Sequence, residues 1–441
     1  MPSSTEESYS KTFMVDSSDS ETENEDLALV HMVLNKLTLK DQTLLHRLYK
    51  KVPYAFNNLW RDQHQCLDFG KLQWKLHGSN LQLFLQDMCT DFRSVHFRSE
   101  HLQEELNILE QAGIEHLINV EFCEISWDNS LAQKYTKFPQ WPLHALPKLL
   151  SNLLYLEMHA PVQACYIEQF KKLESLKIYD EISSSALKEI LSTDADLKLF
   201  HLPGNFIYQL SGISKCKHLS NLLVNLQTFL TSPKEILQLP ELLVLGLTQL
   251  TENKEALNAL SLIIEQKGSR LKSFQLNCSF MDTAENLTQL ELNRCLSLEE
   301  LELVNCKFEN QDIIKLCLPS NQTYALFCNC LDLMDGQLLI FIKASTKLKE
   351  IVLINCPKLT VDLLHDVVKV RITSEQEEPL LIRVKDCPEL WDSYQNNLAI
   401  HWSKVQSIIK VECLMDNYNP IENVQFTFHE LEGRRNLQVQ A

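Results

Sequence analysis

Apolar residues recur along most of the chain in a fixed short register. In most copies they stand at offsets 0, 3 and 5, as in Leu298, Leu301 and Leu303, and weaker copies such as Ala325 and Phe327 keep only the last two. The last two positions alternate with polar residues, which is typical of a short strand with one buried face. Several copies end in Asn-Cys, such as Asn305-Cys306 and Asn355-Cys356. The pattern therefore predicts one short strand in each repeat.

The copies are regularly spaced. Eleven of them start at residues 153, 173, 197, 219, 242, 271, 298, 322, 348, 379 and 406, a mean interval of about 25 residues. Between them run amphipathic helical patterns, for example Leu257, Leu260 and Ile264. A strand plus a helix buries its apolar side only against neighbouring repeats. We expect an α/β leucine-rich-repeat horseshoe over residues 63–415, with parallel strands on the concave face and helices on the convex face.

The segment before the repeats has a different pattern. Residues 27–62 carry two apolar helical stripes, with Asp41 as the expected N-cap of the second and Pro53 at its end. Residues 1–26 hold eight acidic residues and seven serines, so we expect this tail to be disordered. Residues 416–441 lack the repeat and are expected to form a cap and a loose tail.

The Asn-Cys endings and the period resemble the cysteine-containing leucine-rich repeats of F-box proteins, and residues 27–62 resemble the F-box. The matching positions are Leu29, Val33, Leu34 and Leu37 in the first stripe, Asp41 in the turn, Leu44, Leu45, Leu48 and Val52 in the second stripe, and Trp60 in a Leu-Trp pair. Two positions differ, since Glu25-Asp26 replaces the family's Leu-Pro and Val52 replaces an aromatic residue.

This resemblance implies a function. The apolar matches, all but Asp41, would bind a Skp-type adaptor and through it a cullin scaffold, and the repeats would hold a protein substrate. The chain would then be the substrate-recognition adaptor of an SCF-type cullin-RING ubiquitin ligase. Two alternatives stay open: a repeat scaffold without any ubiquitin link, and a regulator that blocks a basic target through charge.

The strand positions between the leucines are the expected substrate-binding surface. Successive residues of a strand face opposite sides, so these side chains lie on the concave face if the leucines point inward. They are Tyr155, Glu157, His159, Lys177, Tyr179, His201, Gln275, Asn277, Glu300, Glu302, Glu350, Arg383 and Lys385. The set mixes both charges with aromatic rings, which suits the recognition of a protein.

Composition limits the other partners and the compartment. The net charge of −17 disfavours binding to nucleic acid phosphates. The 14 cysteines are spread along the chain, and neither a signal peptide nor an apolar span of membrane length is visible. We therefore expect reduced thiols, a cytoplasmic or nuclear location and no membrane partner. Ser18, Ser20 and Thr22 each precede a glutamate by three residues and are candidate phosphorylation sites.

Motifs for chemistry are absent from the sequence. Cys328 and Cys330 form no Cys-x-x-Cys pair, so no zinc or other metal site is expected. No glycine-rich phosphate loop occurs among the nine glycines. The sequence therefore predicts a protein without cofactors that is not an enzyme.

Overall fold

The computed structural model describes residues 32–48, 53–127, 142–161, 166–192, 196–202, 206–248, 254–277, 290–308, 321–374, 378–397 and 407–414. The predicted tails 1–26 and 416–441 lie outside these residues, as do Leu29, Val52 and the candidate phosphorylation sites Ser18, Ser20 and Thr22. The chain forms two compact units, Met1–Leu153 and Leu154–Ala441.

The first unit contains helices and three parallel strands. Its elements are α1 (Leu39–Leu48), α2 (Pro53–Gln63), β1 (Cys66–Asp68), α3 (Phe69–Lys75), α4 (Gly78–Met88), β2 (Ser94–Arg98), α5 (Leu102–Gln111), β3 (Phe122–Ser126) and α6 (Leu146–Leu149). β2 pairs with β1 and with β3 in parallel. Leu67, Val95 and Phe97 are fully buried, so these strands follow the same inward pattern as the later repeats.

Trp60 joins the helical segment to the first repeats inside this unit. Its indole Nε1 donates to Gln42 Oε1 at 2.8 Å, and Gln42 Nε2 donates to the carbonyl of Leu34 at 2.9 Å. The indole also lies 5.2 Å from the Phe84 ring of α4. Because these polar groups are buried, each hydrogen bond removes a desolvation cost and fixes how the helices pack.

The helix cap in this segment differs from our prediction. α1 begins at Leu39, so Asp41 lies inside the helix and is not its N-cap. Thr38 takes that role, since its hydroxyl accepts from the backbone N–H of Asp41 at 3.2 Å and donates to Asp41 Oδ2 at 2.6 Å. The Thr38 hydroxyl thus caps the first turn of the helix, and the Asp41 carboxylate accepts its proton.

The second unit is a stack of strand-led repeats. Its strands are β4 (Tyr155–Met158), β5 (Ser175–Ile178), β6 (Leu199–Leu202), β7 (Asn221–Asn225), β8 (Val244–Thr248), β9 (Ser273–Asn277), β10 (Glu300–Val304), β11 (Tyr324–Cys328), β12 (Glu350–Ile354), β13 (Leu380–Lys385) and β14 (Ile409–Cys413). Each pairs in parallel with the next strand in the sequence. This leucine-rich-repeat architecture confirms the predicted fold class.

Helices connect many of these strands. They are α7 (Ser184–Ser192), α8 (Leu226–Thr231), α9 (Pro233–Leu237), α10 (Lys254–Lys267), α11 (Asp335–Ala344), α12 (Val361–Thr373) and α13 (Pro388–Asn397). The leucine positions pack beneath them, as Phe327 of β11 does against Phe341 of α11 at 5.4 Å. The expectation that each repeat pairs its strand with a helix does not hold for every repeat. Residues 206–220 before β7 contain only the 3-10 turn Ile213–Lys215.

The Asn-Cys ending has a backbone cause. Asn305, Asn329, Asn355 and Asp386 all have φ between 47° and 55°, the left-handed region that asparagine and aspartate tolerate better than other non-glycine residues. In this turn the backbone N–H of Asn329 donates to the carbonyl of Ile354 at 2.8 Å, on the neighbouring repeat. The asparagine side chains of neighbouring repeats are also hydrogen-bonded to one another, since Asn355 Nδ2 donates to Asn329 Oδ1 at 2.9 Å.

The cysteine that follows this turn is buried, and its thiol donates to a backbone carbonyl of the preceding repeat. The thiol of Cys330 donates to the carbonyl of Leu303, that of Cys356 to Phe327, and that of Cys387 to Leu353, each at 3.6 Å. A small apolar side chain with a weak donor fits this position. These contacts explain why Asn or Asp and Cys close consecutive repeats, and they give these cysteines a structural role.

Candidate protein-binding face

The candidate site is the face of the second unit's sheet that lies opposite the leucine core, here called the open face. Its central row contains one residue from each strand, adjacent in register. The row runs Glu157, Lys177, His201, Leu223, Gly246, Gln275, Glu302, Leu326, Val352, Arg383 and Glu412. Six of the predicted site residues stand in it, and most of the others flank it on the same strands.

A charged and aromatic cluster occupies the β4–β6 part of this face. Lys177 Nζ lies 3.5 Å from Glu157 Oε2, and His159 Nε2 lies 3.2 Å from Glu157 Oε1. The His159 and Tyr179 rings are stacked at 4.4 Å, and the ring of His201 lies 5.3 Å from Tyr179. The structure therefore brings together five residues that the sequence predicted only one strand at a time.

The protonation states in this cluster follow from burial and charge. Burial alone would raise the pKa of Glu157, but the hydrogen bond from His159 and the charge of Lys177 lower it to about 2. Burial and the neighbouring Lys177 charge lower the pKa of His201 to about 3. Glu157 is thus ionised and His201 neutral at pH 7.

A second, acidic group lies on β9 and β10. Gln275 pairs in register with Glu302, and Glu300 precedes it on the same face. Burial and the repulsion of Glu300 raise the pKa of Glu302 to about 8. Next to Gln275, Gly246 has no side chain, and a Cβ there would lie 1.8 Å from Leu223 Cδ1 and 3.0 Å from Gln275 Oε1. A glycine at 246 therefore leaves room for both neighbours.

Three polar atoms along this row are buried without a partner. Within the part of the chain that the structure describes, nothing lies within hydrogen-bonding distance of His201 Nε2, Gln275 Oε1 or Glu302 Oε2. Glu302 is only 3% exposed, so bulk solvent does not reach its side chain. Leaving a buried polar atom unpaired costs about 1–3 kcal/mol, and such atoms in a native protein call for a functional or structural reason.

An apolar cluster continues the face over the next strands. Val304, Leu326, Cys328, Val352 and Ile354 pack together and are all nearly fully buried, with Tyr324 and Leu414 partly buried against them. We had not selected these positions as site residues. The run Ile351–Ile354 contains no polar residue, which is the pattern of a strand buried on both faces and could have indicated them.

Ion pairs border the apolar cluster on the last strands. Arg383 Nη1 lies 2.6 Å from Glu350 Oε1, and Arg383 Nε lies 3.4 Å from Glu412 Oε2. Lys410 Nζ lies 2.6 Å from Glu412 Oε1. Lys385 lies on β13 beside this group. Tyr155 and Asn277 are partly buried on β4 and β9. The open face is therefore polar at both ends, with the acidic group of β9 and β10 next to the apolar cluster between them.

Burial on this face differs from what the sequence indicated. Lys177, His201, Gln275, Glu300 and Glu302 were expected to be exposed strand positions, but all are buried. Adjacent strands are about 4.8 Å apart, so in-register side chains cover one another. Polar identity alone therefore did not show which side chains are accessible to solvent.

The predicted adaptor-binding residues of the first unit divide into two groups. Leu34 and Trp60 are buried in the unit's own core, and Leu37 and Leu45 are half-buried. Val33, Leu44 and Leu48 are exposed, Leu48 by 76%. Met32 beside them is exposed as well. Exposed apolar side chains grouped on one short segment are typical of a contact surface.

The residues that the structure describes contain no group of three or more His, Cys, Asp or Glu side chains arranged to hold a metal ion. None of their helices combines the length and apolar character needed to cross a bilayer.

Comparisons with known proteins add little to this geometry. No family model and no curated protein matches the chain. Among solved structures, an LRR protein of Leptospira interrogans is similar, with 17% sequence identity over 75% of this chain and 91% of that one, and a TM-score of 0.36. The assignment of the leucine-rich-repeat fold rests on the repeats, the parallel register and the left-handed turns described above.

Proposed function

We propose that this chain is a protein-interaction scaffold whose open face binds a segment of another protein. The observation that supports this most directly is the set of unpaired buried atoms beside the apolar cluster. Gln275 Oε1 and Glu302 Oε2 are acceptors that lack donors. A partner that supplies N–H groups or a cationic side chain there, and apolar side chains further along, would satisfy both. No catalytic step is proposed.

The test replaces one acceptor without changing its shape. A cation from the partner would bind Glu302 in its ionised form, and hydrogen bonds to a charged group are worth about 1.5–3 kcal/mol. Because ionising a carboxyl with a pKa of about 8 offsets part of this at pH 7, Glu302→Gln should weaken partner binding about tenfold at pH 8 and above and less at lower pH. Glu389→Gln, the same substitution at an exposed site on α13, is the matched control. Quantitative affinity purification would identify proteins retained by the wild type and by Glu389→Gln but lost with Glu302→Gln. Calorimetry with the purified partner then measures the change. Identical protein sets for all three chains would contradict the proposal.

We further propose that the partner is a substrate and that the first unit docks on a Skp-type adaptor of a cullin-RING ubiquitin ligase. The support is the F-box-like pattern together with the exposed Val33, Leu44 and Leu48. Binding energy at such surfaces concentrates in a few apolar anchors. The contribution of this chain would be proximity, since it holds a substrate lysine near a charged ubiquitin.

Replacing Leu48 by aspartate tests the ligase link. Because Leu48 is exposed, the substitution should leave folding intact and remove an anchor, with adaptor binding reduced about 30-fold or more. Arg383→Ala on the open face should bind the adaptor as the wild type does. Surface plasmon resonance with a purified Skp-type adaptor measures both. A wild-type chain that does not bind the adaptor would favour a scaffold without a ubiquitin link. Equal binding by both variants would show that Leu48 is no anchor.

The alternative of a charge-driven regulator makes a different prediction. Binding of a basic target through the net negative charge of −17 would weaken steeply as salt is raised, because screening shortens the range of exposed charges. Binding that relies on the apolar cluster would change little with salt. A salt titration of the partner complex separates the two.

A further inference from the structure

The central row of the open face contains a carboxyl group without a cation. Lys177 lies 3.5 Å from Glu157, and Arg383 lies 2.6 Å from Glu350. Glu302 stands in the row between these two cations, and no Lys or Arg among the described residues pairs with it. Because a buried carboxylate is stable only with an opposite charge beside it, Glu302 marks a place in the row for one more cation.

A second buried acceptor lies next to this carboxyl group. Gln275 is in register with Glu302 on the neighbouring strand and is 5% exposed. Within the described residues, neither Gln275 Oε1 nor Glu302 Oε2 receives a hydrogen bond. An amide oxygen and an ionised carboxylate only accept hydrogen bonds, so a ligand that fits both must donate in two directions.

The separation of the two strands suits an ammonium group. In-register positions on adjacent strands are about 4.8 Å apart. An ammonium nitrogen donates along tetrahedral directions, so two acceptors that are each about 2.8 Å from it lie about 4.6 Å from each other. A guanidinium fork instead matches the two oxygens of one carboxylate, which are much closer together.

We propose that the open face binds a lysine side chain of the partner protein, whose ammonium group bridges Gln275 Oε1 and Glu302 Oε2. This contact rests on the proposed function, since it names the chemistry that the partner supplies. Before binding at pH 7 Glu302 is protonated, because burial and the charge of Glu300 raise its pKa to about 8. On binding, the carboxyl O–H bond breaks and its proton passes to the buffer. The carboxylate then accepts from the ammonium group, which keeps its own three protons.

Gly246 provides the approach to the two acceptors. The space above it is filled by Leu223, since a Cβ at residue 246 would lie 1.8 Å from Leu223 Cδ1. The same point is 3.0 Å from Gln275 Oε1. A leucine side chain can move between staggered rotamers, and the withdrawal of Leu223 would open a route to that oxygen. The lysine methylene groups would then cover the apolar surface that Leu223 leaves.

Binding should strengthen as the pH rises. Besides Glu302, the titratable groups around the site are Glu300 on the same strand and Tyr324 and Cys328 on β11. Burial raises the pKa of Cys328 to about 11, so it stays neutral between pH 7 and pH 9. A lysine, with a pKa of about 10.4, stays charged over this range. Since only ionised Glu302 binds the ammonium group, the affinity should rise about tenfold from pH 7 to pH 9.

The first test compares peptide libraries that differ in one group. Immobilised heptapeptides with random residues on both sides of a central lysine are compared with libraries that carry norleucine or arginine there. Norleucine keeps the four-carbon stem of lysine and lacks the ammonium group. At pH 8 the full-length wild type should be retained on the lysine library at least tenfold more than on either of the others. Glu302→Gln should lose this preference, and Glu389→Gln, the exposed control, should keep it.

Calorimetry with the strongest lysine peptide then counts protons. Titrations in phosphate and in Tris, whose ionisation enthalpies differ, should show the release of about one proton per peptide at pH 7 and almost none at pH 9. Glu302→Gln should release none. Binding of lysine peptides without proton release, or equal retention on the lysine and norleucine libraries, would overturn the ammonium contact. Stronger retention on arginine, or no retention at all, would overturn it too. The scaffold function would still stand if affinity purification showed partners that Glu302→Gln loses.

Discussion

Replacing Leu301 by aspartate is expected to lower the free energy of unfolding by on the order of 4 kcal/mol. Leu301 has no exposed surface and lies in register between Phe274 of β9 and Ala325 of β11. A carboxylate there would be buried without a partner, and it would also remove apolar contacts between three successive repeats. The midpoint of thermal unfolding, followed by circular dichroism, should fall sharply.

Leu296 provides the matched control, because it is 56% exposed just before the same strand. Leu296→Asp should shift the midpoint by little, since the new charge stays in water. If Leu301→Asp and Leu296→Asp melted together at the wild-type temperature, the assignment of Leu301 to the core side of β10 would be wrong.

Glu302 is expected to make the folded protein less stable as the pH rises. Burial and the charge of Glu300 raise its pKa to about 8 in the folded state, against about 4.3 for an unfolded glutamate. Between these values the folded side chain keeps a proton that the unfolded one has lost. The unfolded state then binds fewer protons, and stability decreases with rising pH by up to about 1.4 kcal/mol per unit.

Glu302→Gln removes this titration while keeping the size of the side chain. The variant should equal the wild type near pH 4.5, gain on it progressively up to about pH 8, and keep a constant advantage above that. Urea unfolding at half-unit pH steps measures the difference. A constant difference across this range would show that Glu302 is ionised throughout, with a cation or solvent beside it.

The fold could be predicted from the sequence because its repeats are local and frequent. Offsets 3 and 5 place residues such as Leu301 and Leu303 on the core side, and every strand from β4 to β14 repeats this arrangement. The Asn-Cys ending was recognised as a signature. Its cause, a left-handed turn that also bonds to the neighbouring repeat, needed the backbone angles.

The candidate site was only partly predictable. Alternation correctly identified which residues face away from the core, but it gave no information on what lies beside each one across the sheet. The missing hydrogen-bond partners of Gln275 and Glu302 depend on neighbours 24 or more residues away in sequence, such as Gly246 and Leu326. The apolar cluster could not be predicted from the polar positions of the strands, because its outward side chains are apolar like those of the core.

The helical segment shows the same limit. Its apolar stripes were visible, but a stripe does not reveal which of its residues face the unit's own core. The apolar pattern gave no role to the polar Gln42. Its side chain nevertheless accepts a hydrogen bond from Trp60 on α2 and donates to the carbonyls of Leu34 and Leu37. These contacts leave Val33, Leu44 and Leu48 on the outside.

The left-handed turns have a consequence for how this chain can change in length. Asn305, Asn329 and Asn355 each donate a backbone N–H to the following repeat, from the same place in the register. Excising residues 305–328 would join Val304 directly to Asn329 and recreate an identical junction. Losing one residue from a strand would instead turn its leucines to the wrong face. Evolution can therefore lengthen or shorten this array by whole repeats, while single insertions survive only in the segments between strands.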